Sequence, residues 1–152
     1  MVQRRDMLTA SAAVAGLLAA GGLLPQTAWA AWNQGAFEAK SMADVLRQLG
    51  AAAPVESPAV SLAGPEIAEN GAVVPLTVST ALPGVRRLLV LVEKNPATLA
   101  AAFDLTDAVE ASVSTRVKMA QSSNVYGVAL LADGRVLYAR KEIKVTLGGC
   151  GG

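Results

Sequence analysis

The residue best suited to covalent chemistry in this sequence is Cys150, its single cysteine, which lies in the segment Leu147-Gly148-Gly149-Cys150-Gly151-Gly152. A free thiol has a pKa of about 8.5, so a few per cent is thiolate, the nucleophilic form, near neutral pH. The four surrounding glycines offer no side chain to pack and lose much entropy when ordered. We therefore predict that residues 148–152 form a mobile tail that presents this thiol outside the folded body.

The spacing of the tail favours a thiol that visits other proteins. Cys150 lies six positions after Lys144, and such a segment, fully extended, spans at most about 20 Å. The four glycines keep the cross-section of the segment small, so it can enter a narrow channel. We predict a carrier arm in which Gly148, Gly149, Gly151 and Gly152 give flexibility and Cys150 holds a substrate covalently.

The composition excludes most ways in which this chain could activate the thiol itself. The sequence contains no histidine, which excludes Ser-His-Asp and Cys-His catalysis as well as histidine-ligated metal or haem. One cysteine cannot form an intrachain disulfide or a Cys-x-x-Cys redox pair. We expect no cofactor, no metal and no catalytic residue, so that partner enzymes activate Cys150 and the protein is not itself an enzyme. A formal net charge of +1 gives no reason to expect nucleic-acid binding.

Other interpretations of the lone cysteine remain open at this point. The thiol could be incidental, although an exposed odd cysteine is a liability in an oxidising compartment. It could also form an interchain disulfide that joins two copies. Alternatively, the chain is a binding or structural subunit that docks through its tail. A thiol peroxidase is a further alternative, disfavoured because there is no resolving cysteine and no neighbouring base.

The first thirty residues are typical of an export signal. Arg4 and Arg5 precede a mostly apolar run at residues 8–24, and Ala28-Trp29-Ala30 provides small residues at a cleavage site. The order of residues 3–8 resembles a twin-arginine signal. The alternative, a transmembrane anchor, is disfavoured by the glycines within the run and by Pro25 at its end. We predict cleavage after residue 30, a periplasmic mature protein, and no membrane association after cleavage.

The mature chain is predicted to begin with one short helix followed by a linker. Ser41 is positioned to cap the helix and Gly50 to end it. Between them lies an apolar stripe of Met42, Val45, Leu46 and Leu49. Ala and Pro are frequent at residues 51–58, so residues 31–58 are assigned to the helix and linker.

Residues 59–147 carry the pattern of short strands separated by turns. Apolar and polar residues alternate from Ala111 to Met119, which predicts a strand with one buried face, and Asp133-Gly134 predicts a hairpin. About seven such strands favour an all-β protein, an immunoglobulin-like antiparallel β-sandwich.

Four segments carry a resemblance to a known family. Residues 143–147 lead directly into the glycine tail, and residues 67–76, 93–96 and 115–120 also match family motifs. With the leader, the sequence resembles SoxY over nearly the whole chain. SoxY is the sulfur-carrier subunit of the bacterial Sox system for thiosulfate oxidation. One departure is the loop at residues 96–99, which lacks a second proline.

The resemblance implies partners and a reaction sequence. It implies an immunoglobulin-like sandwich that forms a heterodimer with a SoxZ-like subunit. It also implies that a c-type cytochrome enzyme joins thiosulfate oxidatively to Cys150, and that a hydrolase then releases sulfate. In organisms that have it, a molybdenum dehydrogenase would oxidise the remaining sulfane sulfur.

Overall fold

The computed structural model describes residues 33–148, in which two short helices precede nine strands. The helices are α1 (Gln34–Glu38) and α2 (Met42–Gln48). The strands are β1 (Pro54–Glu56), β2 (Val60–Ala63), β3 (Ile67–Asn70), β4 (Val74–Thr80), β5 (Val85–Val92), β6 (Leu99–Asp104), β7 (Ser112–Val117), β8 (Ser123–Leu131) and β9 (Val136–Leu147). Neither helix in this part of the chain is long enough or apolar enough to span a membrane.

The strands form two sheets that pack face to face. The larger sheet has the order β1-β9-β8-β5-β6, with β3 as a further partner of β9, and the smaller sheet has the order β2-β4-β7. The core between the sheets includes the fully buried side chains of Val74, Val78, Leu88, Met119 and Ile143. The predicted all-β sandwich is confirmed.

Strand β5 is buried on both faces, which explains its continuous apolar sequence. Leu88, Val90 and Val92 belong to the core between the sheets. Leu89 and Leu91 point to the opposite face and pack in a second core beneath the helices. A strand covered on both sides needs apolar residues at every position rather than at alternate ones. The helices therefore form a third layer on the larger sheet.

The predicted helix is confirmed, with the expected cap. The Ser41 hydroxyl accepts a hydrogen bond from the Asp44 amide at 3.1 Å, and Val45 and Leu46 are buried against the sheet. Gly50 has a φ of 65°, the left-handed conformation expected after the helix. Helix α1 was not predicted, because five residues are too few to show an apolar period. Its cap is Asn33, whose side chain accepts from the Ala36 amide.

Two strand pairs are parallel, which differs from the antiparallel expectation. β1 and β3 both pair in parallel with β9, at opposite ends of that strand. β1 lies inside the segment predicted as a linker, and its three residues were too few to show alternation. β9 itself is one strand of twelve residues, because Ala139 to Glu142 continue the ladder with β8 between the hairpin and the residues that lead into the tail.

One buried hydroxyl leads to a stability prediction. The side-chain oxygen of Thr98 is buried and has no hydrogen-bond partner, and the residue is 1% exposed. A buried polar atom without a partner costs about 1–3 kcal/mol. The substitution Thr98→Val is therefore expected to raise the free energy of unfolding by about that amount, measured by urea denaturation.

A matched control substitution is expected to change the free energy of unfolding in the opposite direction. The Thr77 hydroxyl shares a hydrogen bond of 2.8 Å with Ser114 across β4 and β7. Thr77→Val removes this bond and should lower the free energy of unfolding by about 0.5–1.5 kcal/mol. Equal effects of the two substitutions would contradict the assignment of Thr98 as unsatisfied.

Candidate functional site

The structure describes the residues that lead into the candidate site, up to Gly148. Cys150, Gly149, Gly151 and Gly152 lie outside the described residues, as does the predicted export signal at residues 1–30, and Gly148 is the last described residue. We call Lys144–Gly148, together with strand β3 and residues 118–122, the tail root. The carrier role of Cys150 and the flexibility of the four glycines stay predictions, and the tail root determines where the chain leaves the sandwich.

The final residues of β9 change partner before the tail begins. The ladder with β8 ends at the pair Ser123–Ile143, and beyond it Lys144–Leu147 pairs with β3. The Lys144 amide donates to the Glu66 carbonyl at 2.9 Å, and the Leu147 carbonyl accepts from the Gly71 amide at 2.7 Å. β9 is therefore hydrogen-bonded up to the residue that precedes the first glycine of the tail.

On the edge of β9 opposite β3, the Ser122 side chain binds the backbone of β9 beyond the point where the ladder with β8 ends. Its hydroxyl oxygen accepts a hydrogen bond from the Val145 amide at 2.8 Å and lies 3.5 Å from the Val145 carbonyl. These contacts satisfy backbone groups that the ladder with β8 no longer reaches. The Thr146 hydroxyl adds a bond of 2.9 Å to the Glu69 carbonyl of β3.

The segment Lys118–Ala120 forms the third side of the root. The fully buried side chain of Met119 anchors it in the core, and the Met119 amide donates to the Gly71 carbonyl at 2.7 Å. The side-chain amide of Asn95 donates to the Lys118 carbonyl at 2.7 Å and accepts from the Ala120 amide at 3.1 Å. Residues from β9, β3 and three loops thus meet at one end of the sandwich.

Gly148 has a steric reason to be glycine. A Cβ atom at this position would overlap the carbonyl oxygen of Ala120. Its φ is not in the left-handed region, so the requirement is for space and not for an unusual backbone conformation. Gly148 is predicted from the sequence to belong to the flexible arm, and the contact with Ala120 is a second role that composition could not reveal.

Apolar side chains surround the root at the surface. Leu147 is 67% exposed, Ile67 57% and Val73 54%, and they account for three of the five exposed large apolar side chains among residues 33–148. The charged residues in or next to β3 and β9 at this end are of both signs, Glu66, Glu69 and Lys144. A surface of exposed apolar residues rimmed by polar ones is typical of a protein-binding site.

The described residues near the root offer little acid–base chemistry. Among residues 33–148 no three His, Cys, Asp or Glu side chains are grouped so that they could hold a metal ion. The phenol of Tyr126 lies 3.4 Å from a carboxylate oxygen of Glu93. Partial burial, followed by the negative charge of Glu93, raises the pKa of Tyr126 above its ordinary value of 10.0. Tyr126 is therefore protonated near neutral pH.

Two residues that hold the root in place, one within it and one in the loop after β5, were not identified as functional from the sequence. Asn95 belongs to a segment that carried the family resemblance, but it was given no role, and Ser122 was not singled out. The available signal was the Asn95-Pro96 dipeptide, which marks a turn. The partners of that turn lie 23 and 25 residues away, a separation that no local pattern predicts.

Solved structures with low sequence identity to this chain share its fold. A superoxide reductase (neelaredoxin) from Ignicoccus hospitalis aligns with a TM-score of 0.51 and 21% identity, over 57% of this chain and 78% of that one. A putative superoxide reductase from Thermotoga maritima has a TM-score of 0.50 and 14% identity, over 57% and 84% of the two chains. Identities this low indicate a shared fold and nothing about activity. The comparison with curated proteins finds no match.

Two comparisons identify the family. The family model described as "Sulfur oxidation protein SoxY" matches residues 46–150, which include all of the tail root and Cys150. The structure of the sulfur carrier protein SoxY from Chlorobium limicola f. thiosulfatophilum aligns with a TM-score of 0.60 and 35% identity, over 68% of this chain and 93% of that one. The chain therefore belongs to the SoxY family of sulfur oxidation proteins.

Proposed function

We propose that this protein, a sulfur carrier of the SoxY family, holds intermediates of thiosulfate oxidation covalently on Cys150. The observation that carries the proposal is the position of the one thiol of the chain. It lies three residues beyond Leu147, the end of strand β9, which is hydrogen-bonded through Leu147. The chain that leads to the thiol therefore leaves β9 at a defined point.

The proposed chemistry needs an oxidant and a hydrolase supplied by partner proteins. The Cys150 thiolate forms a sulfur–sulfur bond to thiosulfate and two electrons leave to a c-type cytochrome enzyme, which gives a cysteine S-thiosulfonate. Water then attacks the terminal sulfonate group, so that the bond between its sulfur and the sulfane sulfur breaks. Sulfate and two protons are released, and a persulfide remains on Cys150. The carrier contributes the thiol and its presentation, which agrees with the absence of histidine from the sequence.

The proposal includes a SoxZ-like partner and export to the periplasm. Ile67, Val73 and Leu147 are exposed at and beside the tail root. They support a protein contact near the arm, because removing apolar side chains from water stabilises a complex. The paired arginines and apolar run of residues 1–24 support twin-arginine export.

Intact-mass analysis tests the proposal directly. Protein purified without reductant from cells growing on thiosulfate is expected to contain a fraction with one added thiosulfate group or one added sulfur atom. The modification should map to Cys150, and mild reduction should remove it, because both adducts are held by a sulfur–sulfur bond.

The control is the same preparation from cells that express Cys150→Ser, in which neither mass should be found. An unmodified thiol throughout thiosulfate-dependent growth would contradict the carrier function. A mass that corresponds to two joined chains would instead favour the interchain disulfide.

A further inference from the structure

The backbone contacts of the tail root form a continuous path from the tail to the side chain of Asn95. The Leu147 carbonyl accepts from the Gly71 amide, and the Gly71 carbonyl accepts from the Met119 amide, each at 2.7 Å. Asn95 then binds the residues on either side of Met119. The position of the tail base is therefore coupled to one side chain in the loop after β5.

Asn95 is suited to this position because its amide both donates and accepts. It donates to the Lys118 carbonyl at 2.7 Å and accepts from the Ala120 amide at 3.1 Å. An aspartate of the same shape would lose the donor, and an alanine would lose both bonds. Separately, the backbone N–H of Asn95 donates to the Val92 carbonyl at 3.2 Å, which ties the loop to the buried end of β5.

The segment that is hydrogen-bonded to the Asn95 side chain also restricts the space beside Gly148. The carbonyl oxygen of Ala120 occupies the space that a Cβ atom of Gly148 would need. Because the Asn95 side chain bonds to the Ala120 amide, movement of that loop would open or close the space beside Gly148. Cys150 follows two residues later in the sequence, so the direction of the chain at Gly148 is the starting point of its path to the sulfur.

We propose that Asn95 is a positioning residue for the carrier arm. Its side-chain amide holds Lys118–Ala120 so that the Ala120 carbonyl sets the direction in which the chain passes Gly148 toward Cys150. The consequence for turnover rests on the carrier function proposed above, whereas the geometric effect on Cys150 does not.

A distance measurement tests the geometric part. Nitroxide labels are placed on Cys150 and on a second cysteine introduced by Ser112→Cys, at an exposed position of β7, and pulsed EPR on the full chain gives the distribution of distances. Asn95→Ala is expected to broaden this distribution. Asn124→Ala is the matched control, because Asn124 bonds to the Glu93 side chain and not to the root, and it should leave the width unchanged. Equal widths for the two variants would overturn the proposal.

A milder substitution at Asn95 provides a second test in case Asn95→Ala does not fold. Asn95→Asp keeps the acceptor for the Ala120 amide and removes the donor to Lys118, so it should broaden the distribution less than Asn95→Ala. Gly148→Ala should also change the distribution, and adding Asn95→Ala to it should have less than the summed effect, since both act on the same contact. Full additivity would contradict the proposal.

A comparison of two rates tests the functional part. Asn95→Ala is expected to lower kcat/KM for partner-dependent oxidation of thiosulfate on the carrier by about tenfold, because misplacement of a reacting atom by about 1 Å can cost up to about a hundredfold. Alkylation of Cys150 by iodoacetamide, which needs no partner, should change by less than about twofold. Equal losses in both rates would indicate an altered thiol and overturn the positioning role. If Cys150→Ser leaves sulfur oxidation intact, the carrier function fails, and the EPR result still decides the role of Asn95.

Discussion

Replacing Cys150 with serine is expected to reduce thiosulfate-dependent turnover of the reconstituted system to the background rate. The hydroxyl that replaces the thiol cannot form a sulfur–sulfur bond, so no intermediate can be carried. The rate is measured as thiosulfate-dependent reduction of cytochrome c, with the purified partner enzymes and the wild-type or variant carrier at the same concentration.

Cys150→Ser is expected to have little effect on stability, and this result would distinguish a chemical role of Cys150 from a structural one. Cys150 lies three residues beyond Leu147, where β9 ends, so Cys150→Ser should change the free energy of unfolding by less than about 0.5 kcal/mol. Cys150→Ala is a second control and should behave identically in both measurements. Turnover that survives either substitution would favour the alternative of a binding or structural subunit docked through its tail.

Replacing Leu89 with alanine is expected to lower the free energy of unfolding by about 2–5 kcal/mol. The Leu89 side chain is fully buried in the core between the larger sheet and the helices, which also contains Val45 and Leu46. Removing three carbon atoms loses their transfer free energy and leaves a cavity that strand β5 cannot close, because both faces of the strand are packed. Urea denaturation at constant m-value measures the change.

An exposed residue provides the control for Leu89. Val109 is 55% exposed, and Val109→Ala should change the free energy of unfolding by less than about 0.5 kcal/mol. A loss below about 1 kcal/mol for Leu89→Ala would mean that the helices do not cover this face of the sheet in solution.

The parts of the fold that could be predicted from sequence are those with local signals. The Ser41 cap and the apolar stripe predicted α2, and Asp133-Gly134 predicted the β8–β9 hairpin, in which Gly134 has a φ of 88°. These features depend on neighbouring residues, so a single sequence contains the necessary information.

The parts that could not be predicted depend on contacts between distant residues. The parallel pair between β1 and β9 joins Pro54 to Val136, and no pattern in either segment indicates the other. The continuous apolar run from Leu88 to Val92 is typical of a buried strand, but it does not say which layers cover the two faces of that strand. For the same reason the sequence indicated the chemistry of Cys150 but not the arrangement of Asn95, Ala120 and Gly148 at the base of the arm.

Strand β9 also determines when the protein can finish folding. It contributes partners to β8, β1 and β3, so the larger sheet stays incomplete until the last strand has emerged from the ribosome. Pairing across such a sequence separation forms slowly, because long loops must close first. The sandwich therefore closes only after β9 has been translated. A nascent chain stalled before Val136 would leave the edge of β8 that pairs with β9 without a partner, and an unpaired strand edge promotes aggregation.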